Sequence, residues 1–188
     1  MHGRSEFGPL PDCRTVSTVF ARAAEFGAHG AADFGCPMLD SVAGLVDAHR
    51  RMAVVQPSWD DVVLTWVPGQ VGPELPEMDV HADPFTGVWE DAQRHILAID
   101  FEAHRVLGES AGGAVRHHEG LGSVFARMAH LYTISFDRFI SDGPEAPNRR
   151  QLIRAYIAYE NLARRLADGK RCLPPLFGGS VADDIGDR

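Results

Sequence analysis

Residues 84–107, 114–141 and 147–167 each repeat apolar side chains at intervals of three and four, and proline or glycine brackets each run. A period near 3.6 sustained this long requires amphipathic helices, because a strand would alternate every second residue. Asp83-Pro84 reads as a cap followed by proline at the first helical position, and Gly108 as the stop. Gly112-Gly113 is a hinge, Asp142-Gly143-Pro144 closes the next segment, and Pro147-Asn148 opens a last helix that Gly169 ends. Upstream, the spacing predicts helices over 14–26 and 40–55, the second capped by Asp40 or Ser41 and stopped by Pro57. Residues 57–83 carry proline and glycine throughout; the piece DDVVLTWV is read there as a short helix leading into an ordered loop. The sum is an all-α fold, an antiparallel bundle of four or five helices, since short connections favour antiparallel neighbours.

A chain of 188 residues with 45% hydrophobic content suits one such domain. Its expected bounds are 13–175, with a flexible arm over 1–12 and a flexible tail over 176–188. The net charge of -8 disfavours a nucleic-acid partner, because phosphate backbones would be repelled. No apolar run is long enough for a membrane span, and the N-terminal residues do not read as a signal peptide. Cys13, Cys36 and Cys172 are odd in number and widely spaced, which fits reduced thiols and a cytoplasmic location.

The informative irregularity is RHILAIDFEAH, residues 94–104. On a helical projection Trp89, Ala92, Ile96, Ile99, Ala103 and Leu107 share one face. Asp100 lies about 40° from Ile96, inside that stripe, and His104 on its shoulder. In the next segment Leu121, Phe125, Ala129 and Tyr132 form the buried stripe, His118 falls within about 20° of Phe125, and Val124, Leu131 and Ile134 form a second apolar strip. In the last segment Tyr156 and Tyr159 bring hydroxyls inward, and Glu160 sits beside them. An acid in an apolar interior must be hydrogen-bonded or paired, or have its pKa raised. Asp100 is therefore either a structural acid satisfied by partners or a general base in a pocket. His118 is either a satisfied core histidine or a second catalytic group. His104, Tyr132, Tyr156, Tyr159, Glu160 and Trp89 are the candidate substrate-binding residues.

Other chemistries find less support. A di-metal bundle needs Glu-x-x-His pairs on two helices, and Glu90/His95 and Glu102/His104 have the wrong spacing. The run RHHEG is a weak metal signal, and Asp100, His104, His118 and Glu160 are the alternative mononuclear set; no metal is expected. No GxSxG, P-loop or GxGxxG motif is present.

HHEGLGSVFARMAHLYTISFDRFI and RRQLIRAYIAYENLARRLADGKRCLP, in the C-terminal half, resemble an uncharacterised family of actinobacterial all-helical proteins. A polar triplet before a helix-starting glycine and a basic Gly-Lys segment ending in Leu-Pro carry that resemblance. More faintly, the chain is similar to the small helical subunit of azinomycin-type aziridine-forming enzymes. That resemblance implies a protein of bacterial secondary metabolism and antibiotic biosynthesis, acting with a sulfotransferase-like partner on a small amino-acid-like substrate. Sulfate would leave as a neighbouring amine closes the ring, with Asp100 as the base. No cofactor would be bound directly; the sulfate donor PAPS would enter through the partner. A non-catalytic helical binding or scaffold protein is the rival reading, a metal-dependent bundle oxygenase the third, and the strip at Val124 leaves room for a homo-oligomer.

Overall fold

The computed structural model describes residues 9–31, 34–55, 84–108, 113–142 and 147–176. Within them the fold is all-α, with five helices: α1 (Cys13–Ala31), α2 (Pro37–Val55), α3 (Pro84–Leu107), α4 (Leu121–Asp142) and α5 (Pro147–Ala167). Two short strands, β1 (Val115–Arg116) and β2 (Arg171–Cys172), pair in parallel. The expected helix over DDVVLTWV lies outside the described residues.

Local chemistry sets the helix ends. Asp12 caps α1 by accepting the Thr15 N–H at 2.7 Å. Pro37 opens α2, three residues before the expected start; proline loses no hydrogen bond at a first helical position. Gly108 at φ +69° ends α3, its N–H donating to the His104 carbonyl. Gly169 at φ +67° ends α5 in a Schellman motif, with Gly169 N–H on Leu166 and Lys170 N–H on Arg165.

The expected stripes supply part of the core, while Ile96, Leu107, Tyr132, Ala155 and Tyr156 are only partly buried and α1 and α2 add Val16, Phe20, Val42 and Val46. Ala92, Ile99 and Ala103 of α3, Leu121, Phe125 and Ala129 of α4, and Leu152, Tyr159, Leu162, Ala163 and Leu166 of α5 are buried. Helix α2 packs on α1, α3 and α4, while α4 packs on α2, α3 and α5. Burial of Val124 within this core explains the second apolar strip on α4: the helix has neighbours on two sides. Leu10 is also buried, and the Pro11 carbonyl accepts the Tyr159 hydroxyl at 2.6 Å, so the end of the expected arm belongs to the core. Among the described residues no helix is long and apolar enough to cross a membrane.

Candidate functional site

Asp100 is half-buried on α3, and it faces the first turn of α4. Its Oδ1 accepts the Gly122 N–H at 2.7 Å. The first N–H groups of a helix have no partner within it, and the residue before α4 is Gly120, which has no side chain to cap them. The cap comes instead from a neighbouring helix. Two glycines make room for it. A Cβ on Gly120 would lie 2.6 Å from Asp100 Oδ1, and one on Gly122 would lie 2.8 and 2.9 Å from the Ile96 carbonyl carbon and Cα. Burial raises the Asp100 pKa above its ordinary value; the Gly122 N–H, His104 and the Leu121 N–H act in the opposite direction.

His104 sits one turn along α3, and its Nε2–H donates to the Pro174 carbonyl at 2.9 Å. The histidine thereby ties the segment after β2 to α3.

His118 is corrected by the structure. The helix expected from Ala114 begins at Leu121, because residues 115–117 pair with 170–172. The His117 N–H donates to the Cys172 carbonyl at 2.8 Å. His118 therefore stands in a bend before the helix, its side chain 80% exposed, and helical projection does not apply to it. Beside it, His117 Nδ1–H donates to the Glu119 carbonyl at 2.9 Å. The Glu119 carboxylate takes both Arg127 Nη groups at 2.7 and 2.9 Å, which holds its pKa below the usual range.

The tyrosines occupy packed interior. Tyr159, 1% exposed, stacks against Phe125 with centroids 4.9 Å apart. Tyr132 and Tyr156 both lie against Phe20. Burial pushes the Tyr156 hydroxyl well above its ordinary range. Ser17 is near enough to favour its ionisation, yet the geometry closes no hydrogen bond on it. Glu160 is half-buried and interacts with Cys13, whose thiol is pushed up to about 12, first by burial and then by Glu160. Cys13 is thus an inert thiol at the start of α1. Trp89 is corrected as well: it is 50% exposed, at the edge of the expected apolar face.

The candidates fall into separate groups. Asp100 and His104 meet the loop and the tail at the α3–α4 junction. Tyr132 and Tyr156 share one aromatic cluster through Phe20, while Tyr159 reaches Pro11. Asp100 takes its hydrogen bond from a backbone amide, a partner on another helix that projection of side chains does not reveal.

Sequence reasoning missed a further feature. An open groove of about 450 Å³ lies at the carboxyl end of α5. Arg164, Arg165, Lys170 and Arg171 line it with Val115 and Asp168. Asp168 pairs with Lys170 at 2.8 Å, leaving a cationic excess on a chain whose net charge is -8. The available signal was the basic cluster around Gly169, which reads equally well as complement to the helix dipole.

No family model, curated protein or solved structure matches this chain.

Proposed function

We propose that the protein binds a small anionic molecule, of the phosphate or sulfate ester class, in the groove at the carboxyl end of α5. The observation that carries this reading is the convergence of Arg164, Arg165, Lys170 and Arg171 on one concavity of an acidic chain. Arginine guanidinium groups bind phosphate and sulfate oxygens in pairs, and several cations around one concavity add their attraction. The Schellman closure supports the site, because two of the last α5 carbonyls are already occupied by Gly169 and Lys170 N–H groups.

The test is a titration of the full chain with inorganic phosphate, sulfate and an aryl sulfate, followed by calorimetry and thermal melts. Saturable binding is expected, with Arg165→Glu/Arg171→Glu weakening it at least about tenfold, since a charge-assisted hydrogen bond contributes about 1.5–3 kcal/mol. Binding that is unchanged in that variant, or absent for all three anions, would refute the assignment.

A catalytic reading is favoured by one specific observation: Asp100 is half-buried, has a raised pKa and bonds to a backbone amide, with no arginine paired to it among the described residues. In this reading Asp100 accepts a proton from an amine as a sulfate ester is displaced, and a sulfotransferase-like partner supplies the ester. Asp100→Asn keeps an acceptor for the Gly122 N–H, so it should abolish ring closure without unfolding the chain. Retained turnover would eliminate this reading while leaving the anion groove intact.

A further inference from the structure

We propose that His117, His118 and Glu119 form a surface site for a single Zn²⁺ ion, independent of the anion groove. One donor atom from each residue lies within 4.8 Å of the others. Consecutive residues in an extended chain point apart, but the bend at His118–Glu119 turns the side chains back together. The two imidazole rings lie with centroids 4.5 Å apart. Backbone bonds hold the first ligand in place: the His117 N–H is on Cys172 and its Nδ1–H is on the Glu119 carbonyl. With the proton on Nδ1, that second bond leaves the Nε2 lone pair free for a metal, the arrangement a metal-ligating histidine requires.

His118 Nε2 lies 3.7 Å from Glu119 Oε1, beyond hydrogen-bond distance. Two ligands on a tetrahedral zinc, with bonds of about 2.0–2.2 Å, stand about 3.4 Å apart, so a small closure brings both onto one ion. Two nitrogens and one carboxylate oxygen suit Zn²⁺ and leave a fourth position for water. Arg127 competes for the carboxylate, since it holds both Glu119 oxygens. The ion must take Glu119 Oε1 from Arg127 Nη2, which makes the arginine a brake on affinity.

The experiment is calorimetric titration of the full chain with Zn²⁺, with Co²⁺ absorption reporting the ligand field and circular dichroism confirming that each variant is folded. One equivalent is expected to bind. His117→Ala and His118→Ala should each weaken it at least about tenfold, and Arg127→Gln should tighten it severalfold by releasing Glu119. The proposal is overturned if no saturable one-to-one binding occurs, or if the double variant His117→Ala/His118→Ala binds as tightly as the parent. It is overturned equally if Arg127→Gln weakens binding.

Discussion

Replacing Gly122 by alanine is expected to force α3 and α4 apart where their backbones meet. The new methyl would stand 2.8 Å from the Ile96 carbonyl carbon and 2.9 Å from its Cα, where ordinary contact begins at 3.4 Å. The obstacle is backbone, so no side-chain rotation relieves it, and the helices must separate by at least about 0.6 Å. That separation also lengthens the Asp100–Gly122 hydrogen bond, now 2.7 Å. Overpacking of this kind costs about 1–3 kcal/mol, and alanine's better helix propensity returns less than about 1 kcal/mol. A net loss of about 1–2 kcal/mol lowers the melting temperature of a domain this size by about 2–8 °C. Gly120→Ala provides the internal control. Its methyl meets the Asp100 carboxylate, which can move, so its smaller cost should largely vanish in an Asp100→Ala background. The cost of Gly122→Ala should survive there. Thermal melts of the three single and two double variants measure both effects. A Gly122→Ala protein that melts within about 1 °C of the parent would refute a backbone-limited junction.

Further outcomes concern Asp100, His49 and Tyr159. Asp100→Ala should cost about 1 kcal/mol through loss of the helix cap, whereas Asp100→Asn keeps the acceptor. Because the folded Asp100 pKa is raised, its stabilising contribution is complete below the unfolded value near 3.8 and is lost as pH rises through the folded value; Asp100→Asn should remove that slope in melts taken from pH 3 to 7. His49 is largely buried with Nε2 unpaired and its pKa lowered to about 4, first by burial and then by His130, so stability present above 6.5 should fall as pH drops toward 4. His49→Leu should flatten that acid limb. Tyr159→Phe leaves the Pro11 carbonyl without its 2.6 Å donor and should cost about 1 kcal/mol in denaturant unfolding, with Leu10 becoming more susceptible to proteolysis nearby.

The inward position of Asp100 was legible because one acid interrupts a stripe whose period is set by helix geometry. Its partner was not: the Gly122 amide is 22 residues away, and a backbone donor leaves no mark in side-chain chemistry. The GLG run at 120–122 was the available trace, since glycine twice at a helix start lets two backbones approach closely. His118 was misplaced for a related reason. Residues 114–120 carry a pattern that continues the following helix, but the pairing of β1 with β2, across 56 residues of chain, overrides it. Helical projection likewise set Trp89 on the apolar face, yet it is 50% exposed near the start of α3.

Periodicity and punctuation in the chain itself determine that it forms helices, which faces turn inward, and where proline and glycine stop them, because these depend on bonds and sterics within a few residues. Only the tertiary structure decides that Asp100 caps another helix, that the Gly169 cations converge on a groove, and that His117, His118 and Glu119 face one another. The first joins residues 22 apart through helix packing, and the other two depend on the Gly169 turn and the bend before α4, which the pairing of β1 with β2 holds in place.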